Sequence, residues 1–370
     1  MMPTEKTTFT SLHTGGSMTQ VPERQSRLSG FVKTLFGDRL SIALTLISVL
    51  IIYAFVPVID WALIRAHWTV ASPAECQSGG ACWAFIGAKL RLILFGLYPP
   101  EEQWRAVIVI VLIMALVLLT LSPRFWGARL LLVWAAGIAV MLVLMGGGVM
   151  GLPPVPTSKW GGLPVTLLLA VLSLGLAFPF SVVLALGRRS AQPVTRGLSV
   201  LVIELVRGLP LVGLLFVAAI LMPLFLPPDW NIDKLGRTLA ALTIFAAAYL
   251  AEVIRGGLQG LPYGQTEAAQ ALGIPYWRTI WHIVLPQAIQ KVIPPLTNTA
   301  IVMVKNTSLV LIVGVFDMLS AARSAATDPM WPAPSAEAYL FVAMIYFVIC
   351  YGIAAYSRHI ETDLTARSHS

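Results

Sequence analysis

Charged and hydroxyl side chains interrupt the long apolar runs of this 370-residue chain. Glu204 with Arg207, and Glu252 with Arg255, each place an acid and a base at i and i+3, on one face of a helix. Lys305, Asn306, Thr307 and Ser308 stand together in a later run, and Asp317 follows. A charge at mid-bilayer costs at least ~2.5 to 3.5 kcal/mol on insertion scales, so none of these groups should face lipid. Two readings stay open. In one, Glu204 with Arg207 and Glu252 with Arg255 are structural pairs at span ends or between subunits. In the other, some of these groups line a path, where a zwitterion needs a cation for its carboxylate and acceptors for its ammonium. Nothing here reads as a catalytic centre. There is no G-x-x-x-x-G-K-[ST] phosphate loop, no Gly-Lys pair and no H-E-x-x-H, and "GLSV" at Gly197 lacks the second glycine of a nucleophile elbow. No metal-ligand spacing is read.

The elements that position these groups are membrane spans. With 57% hydrophobic and 11% charged residues, the chain is far more apolar than soluble proteins. Eight apolar runs approach the length needed to cross a core of about 30 Å. They are Leu40–Val58, Ala106–Leu121, Leu130–Met150, Leu163–Leu186, Leu198–Leu226, Thr238–Val253, Leu296–Leu319 and Ala338–Tyr356. The first begins 39 residues in, too deep for the core of a signal peptide, and reads as a retained span. The net charge of +8 follows topology rather than nucleic acid. With a cytoplasmic N-terminus, 15 of the 25 Lys and Arg fall in inside segments, among them Arg24, Arg27, Lys33, Arg39, Arg124, Arg129, Arg188, Arg189, Arg196 and Arg358. That bias obeys the positive-inside rule, and an even number of spans returns the C-terminus to the cytoplasm.

The chain divides as a tail, residues 1–39, an extension of three spans, residues 40–150, a Gly- and Pro-rich connector, residues 151–162, and a five-span core, residues 163–366. The external loop of the extension contains "CWAFIGAKLRLILFGLYPPEEQW", whose apolar stretch is too short and too basic to span and should lie at the interface or pack on the outer face. Cys76 and Cys82 flank "QSGGA" in that loop; they are either bridged, as an oxidising exterior permits, or two unlinked thiols. Cys350 reads as a small buried apolar residue.

Between the sixth and seventh runs lies "TEAAQALGIPYWRTIWHIVLPQA", residues 266–288, on the inner side by the same topology. Thr266 can cap a short helix opening with Glu267; Gly273 permits a left-handed turn; Pro275 suits the first turn of a second helix. In that helix Trp277, Ile280, Trp281 and Val284 form one apolar stripe, and Pro286 closes it. The segment is either an amphipathic helix resting among headgroups or a rigid knob offered to a partner.

Glu267, Ala268, Ala269, Gly273, Ile283, Leu285 and Pro286 match the EAA signature of ABC importer permeases at every defining position. "ELVRGLPLVGLLF" from Glu204, "AEVIRGGLQGLPYGQTEAAQALG" from Ala251 and "LTNTAIVMVKNTSLVLIVGVFDML" from Leu296 are similar to the polar amino acid (histidine permease-like) branch. The extended N-terminus resembles the M-type permease subunit of the general L-amino-acid transporter. The resemblance implies an all-α type I permease core and a coupling role for the segment, through Glu267, Ala268, Ala269, Gly273, Tyr276, Trp277, Arg278, Leu285 and Pro286. It also implies partners: an ATPase dimer that binds ATP and Mg, a second homologous permease forming a heterodimer, a periplasmic amino-acid-binding protein, and a bacterial inner membrane around them. Asn306 stands where members of the branch often have Asp, and Leu209 where they have Thr. The function implied is an L-amino-acid importer subunit, itself not an enzyme. An ion-coupled secondary amino-acid transporter, or an ABC permease for another small polar solute, is the alternative.

Overall fold

Long apolar runs have one way to satisfy their backbone in lipid short of a closed barrel, and every named element of this chain is a helix. The computed structural model describes residues 35–77, 79–120, 125, 127–225, 227, 232–331 and 334–368. Most of the 1–39 tail, with Arg24, Arg27 and Lys33, and also Arg124, lie outside them. The described residues fall into two compact units that divide between Ile64 and Arg65.

The first unit is α1, Arg39–Ile59, which Asp38 caps by accepting the Ser41 N–H at 3.3 Å. Two of its hydroxyls are satisfied within the unit. Thr45 Oγ1 donates to the Leu35 carbonyl at 2.9 Å and Ser48 Oγ to the Leu44 carbonyl at 2.8 Å. None of the α1 side chains is buried, and the helix is apolar along its length.

The second unit holds α2 (Trp83–Phe95), α3 (Gln103–Thr120), α4 (Ala128–Gly146), α5 (Gly162–Arg188), α6 (Pro193–Gly208), α7 (Leu211–Phe225), α8 (Lys234–Gln259), α9 (Gly264–Ala271), α10 (276–291), α11 (Ile293–Val313), α12 (Met318–Ala326) and α13 (Ser335–Ser368). At its centre α5 packs along α8, whose buried face is built from Ala241, Ala246, Ala247, Ala248 and Ala251. Small residues let two backbones approach where no hydrophobic effect drives them together. Buried hydroxyls on α5 turn back on their own helix: Thr166 to the Gly162 carbonyl, Ser173 to Ala170 and Ser181 to Phe178.

Seven helices are long and apolar enough to cross a membrane among the described residues, and a bent helix pair, a broken span or a re-entrant loop, makes eight if it counts as one span. The fifth run departs from the single span expected over Leu198–Leu226. It breaks between α6 and α7, which meet at 104°. Pro210 lacks an N–H and holds Leu209 in extended backbone (φ −95°, ψ 139°), so the helix cannot continue. The seventh run also stops early, at Val313 rather than Leu319. Gly314 turns left-handed (φ 74°), and Asp317 starts α12 by accepting the N–H groups of Leu319 at 3.1 Å and Ser320 at 2.9 Å.

The stretch expected outside forms α2, and α2 packs on α12 and α5. Phe85, Ile86 and Ile93 join Met318, Ala322, Ala325, Ala338 and Val342 in one cluster. Cys76 and Cys82 are bonded to each other. The Cys82 N–H donates to the buried Glu337 carboxylate at 2.8 Å, fastening that ring to the first turn of α13. At the far end of α2, a Cβ on Gly96 would lie 2.7 Å from the Gly161 Cα, so the extension and the connector meet there backbone to backbone. Arg105 of α3 is fully buried; it donates to the Pro153 carbonyl at 2.9 Å and pairs with Glu102 at 2.6 Å.

Candidate functional site

Three groups of polar residues carry the functional question. The first is the segment that joins α8 to α11. Its opening helix starts at Gly264, two residues before Thr266, so Thr266 lies inside the first turn and is not the cap; Tyr263 precedes the helix. The helix ends as expected from Gly273, in a left-handed turn (φ 68°). There Ile274 N–H bonds the Ala269 carbonyl at 3.0 Å and Gly273 N–H the Gln270 carbonyl at 2.9 Å, the paired closure of a Schellman motif. Open space surrounds the missing Cβ of Gly273, so the residue answers to backbone conformation and not to crowding.

The second helix of the segment differs from expectation in two respects. Pro286 does not close it. Helix runs from Tyr276 to Lys291 through a π turn at Ile280–Val284, which takes up the missing N–H of Pro286 and its clash with the preceding turn. The expected apolar stripe divides. Ile280, Val284, Leu285 and Ala288 are buried against Val182, Ala185, Ile203, Ile254 and Leu258, whereas Trp277 is 63% and Trp281 50% exposed. Glu267, Ala268, Gly273, Tyr276, Arg278 and Pro286 are also exposed, and Ala269 is buried. The result is a knob whose outer surface carries Glu267, Leu272, Tyr276, Trp277 and Arg278. Its inner surface is locked to α5, α6 and α8. Lys291 Nζ donates to the Gly260 carbonyl at 2.9 Å, and a Cβ on Gly257 would lie 2.7 Å from the Ala288 carbonyl oxygen.

The second group is an ion cluster on α5, α6 and α8. Glu252 sits at its centre, its side chain 15% exposed. Arg255 Nη2 lies 2.9 Å and Arg188 Nη1 3.0 Å from its carboxylate, with Arg207 Nη1 at 3.8 Å. The expected Glu252–Arg255 pair is therefore present. Glu204 makes a different pair from the one its spacing suggests: it binds Arg188 at 2.7 Å, because Arg207 turns to Glu252 and lies 5.5 Å from the Tyr249 ring centroid. Arg188, read from sequence only as a topology signal, bridges both acids. Its place at the α5 terminus, on the same side as both Glu-x-x-Arg helices, is the signal that could have found it. Three guanidiniums against two carboxylates nearly neutralise one another, which is how such groups are tolerated within apolar helices.

The third group is the polar stretch of α11, and its four residues do not act as one set. Thr307 is buried, donating to the Val304 carbonyl at 2.7 Å and lying 3.3 Å from the Tyr346 hydroxyl. Asn306 is half-buried beside Met303. Lys305 and Ser308 turn the other way and line a groove of about 410 Å³ with Leu319, Tyr339, Tyr346 and Cys350. Asp317 takes no part in any of these groups. It is the buried N-cap of α12, where burial raises its carboxyl above the ordinary carboxylate range against the bonds from Ser320 and Leu319.

Known proteins resemble the chain at both levels. Residues 177–365 match the family described as "Binding-protein-dependent transport system inner membrane component". The inner membrane amino-acid ABC transporter permease protein YhdY of Escherichia coli is 41% identical over 89% of this chain and 90% of its own length. The glutamate/glutamine/aspartate/asparagine transport system permease protein BztC of Rhodobacter capsulatus is 33% identical over 90% of this chain and 92% of its own. A solved structure described as "an amino acid ABC transporter with histidines" aligns with 54% of the chain and 90% of its own, at 29% identity and a TM-score of 0.48. The identity to YhdY runs through the extension as well as the core, and the family match spans the ion cluster's α8 acid, the knob and the α11 groove. The chain thus belongs to the binding-protein-dependent transport system inner membrane components.

Proposed function

We propose that this chain is the permease subunit of an ATP-driven importer of L-amino acids, and that residues 266–288 couple an ATPase to its spans. One observation carries the reading. The knob offers an exposed acid and exposed aromatics outward while its inner side is packed without a loose joint against α5, α6 and α8. A body built that way passes a push on Glu267, Tyr276, Trp277 and Arg278 to the helices that hold the ion cluster, the rigid-body motion that alternating access requires. A helix merely resting among headgroups needs no Schellman closure and no such packing.

The partners follow from what this chain lacks and displays. With no phosphate loop, ATP and Mg belong to a separate ATP-binding subunit dimer. A second homologous permease completes the pathway as a heterodimer, and a periplasmic binding protein delivers the amino acid. The knob faces the cytoplasm together with both termini, and the disulfide faces the periplasm, where that bond is stable. Within the second unit, residues 65–150 of the extension are a scaffold for the core, 163–366: α2 bears on α12 and the disulfide ring on α13. The network around Glu252 is a latch across α5, α6 and α8, and the path runs elsewhere.

The test is uptake by vesicles holding the complete assembly. Radiolabelled L-amino acid should enter only with the ATPase, ATP and binding protein present, and Glu267→Lys should abolish entry while the subunits still co-purify. Uptake driven by an ion gradient without ATPase would replace this reading with a secondary transporter.

A further inference from the structure

A crevice of about 180 Å³ opens between α4 of the extension and α8 of the core, with α5 as its floor. Leu142 of α4 lies on one wall, Leu235 and Leu239 of α8 on the other, and Leu168, Leu169 and Leu172 along the floor. This is the end of the bundle opposite the knob, because α10 packs against Val182 and Ala185 at the other end of α5. Leu172 is ten residues into the span that opens at Gly162, so the crevice descends roughly 15 Å at a rise of about 1.5 Å per residue. That is half of a hydrocarbon core of about 30 Å, the depth of one leaflet.

The polar side chains of the lining stand at the shallow end, just outside the first residues of the spans. They are Thr157 and Trp160 of the connector and Asp233 before α8. Trp160 Nε1 is committed to the Val155 carbonyl at 3.0 Å. Asp233 accepts the Gly236 N–H at 3.1 Å through one oxygen, and its side chain is exposed. Lys159 follows Thr157 in the same turn, also exposed, and that turn approaches α8. The mouth therefore carries an acid from one element and a hydroxyl and a cation from another. In a bilayer an acyl chain gains little by exchanging other chains for leucines, so the headgroup decides which lipid such a crevice selects.

We infer that the crevice holds one phospholipid with an ethanolamine headgroup. Its acyl chain lies along α5, its phosphate meets Lys159 and the Thr157 hydroxyl, and its ammonium meets Asp233. A glycerol headgroup has no ammonium and would leave its phosphate charge beside Asp233 uncompensated. The bound lipid fills the seam between the extension and the core. The site requires a chain that spans a membrane and nothing more, so it stands apart from the importer reading.

The test uses the complete assembly in nanodiscs. Phosphatidylethanolamine or phosphatidylglycerol carrying a diazirine midway along one acyl chain is added and photolysed, and the crosslinked peptides are mapped. The ethanolamine probe should label residues 165–172 or 235–239, and unlabelled phosphatidylethanolamine should suppress that labelling at a level where phosphatidylglycerol does not. Asp233→Asn keeps a side chain that caps α8 and removes the charge; it should lower labelling by the ethanolamine probe about threefold to fivefold, the range of an exposed charge contact. Lys159→Gln should lower labelling by both probes, and Leu239→Trp, which fills the crevice, should abolish it. Equal labelling by the two probes with equal competition, or labelling unchanged in Asp233→Asn, means an annular lipid only and overturns the assignment. The competition in wild type decides the matter by itself if a variant fails to assemble. Uptake is not read, so failure of the importer reading would leave this result standing.

Discussion

Gly273 offers the sharpest test of the knob, because its cost can be worked out from one angle and one empty space. Its φ of 68° is a conformation that side chains with a Cβ disfavour by roughly 1 to 2 kcal/mol. No atom lies within 4 Å of the position a Cβ would take, so crowding adds nothing to that cost. The penalty for Gly273→Ala is therefore purely conformational, about 1 to 2 kcal/mol. That is a factor of about 5 to 30 in the population of the closed turn. Asn tolerates the left-handed region better, and β-branched Val worse, so the order of loss should be Asn, Ala, Val. The turn sets the angle between α9 and α10, so the same order should appear in ATPase affinity, measured by titrating purified ATPase onto the permease complex in nanodiscs. Core stability should hardly change, since the cost is local to an exposed turn. Wild-type affinity in Gly273→Val, or Asn binding worse than Val, would refute the argument that backbone handedness shapes the docking surface.

Three further outcomes follow from the contacts described. Glu252→Gln leaves Arg207 and Arg255 without a carboxylate and Arg188 with Glu204 alone, and should lower stability by about 2 to 4 kcal/mol, more than Arg188→Gln, with Arg207→Gln least because its contact is 3.8 Å long; thermal unfolding of the detergent-solubilised complex gives the ranking. Reducing Cys76–Cys82, whose separation is six residues, should cost about 2 kcal/mol by loop entropy and release the Cys82 amide from Glu337, seen as faster exchange of the Cys82 N–H. Mass spectrometry of protein purified without reductant should find that bond. The bond from Lys89 holds the Asp328 carboxyl below its ordinary range, so this pair stabilises α2 against α12 above about pH 4 and stops doing so as pH falls through the lowered value. The difference in melting temperature between wild type and Asp328→Asn should be constant from pH 7 to 5 and vanish in stronger acid.

The sequence by itself was enough for much that depends on order along one helix. Apolar run length set the number of spans, because a bilayer fixes how many residues a crossing needs. Gly273 and Pro275 marked the turn and the second start of the knob, since handedness and a missing N–H are properties of single residues. The Glu252–Arg255 pair was equally legible, both groups lying on one helix face. What failed were several local boundaries, the Thr266 cap, the Pro286 stop and the unbroken fifth run, and the expectations that needed a neighbour from elsewhere in the chain. Glu204 had an i+3 partner in Arg207 but took Arg188, sixteen residues away, because α5 and α8 bring a second acid within reach of both arginines. The stripe of Trp277, Ile280, Trp281 and Val284 was correctly spaced, yet a π turn rotated its members apart, and only packing on α5 and α8 decides which of them is covered. Lys305, Asn306, Thr307 and Ser308 read as one polar patch, and the structure sends Thr307 inward and Lys305 into a groove. Local backbone preference is written in short stretches. The side on which a residue meets another helix depends on where distant segments come to rest, and that is settled only when the whole bundle has packed.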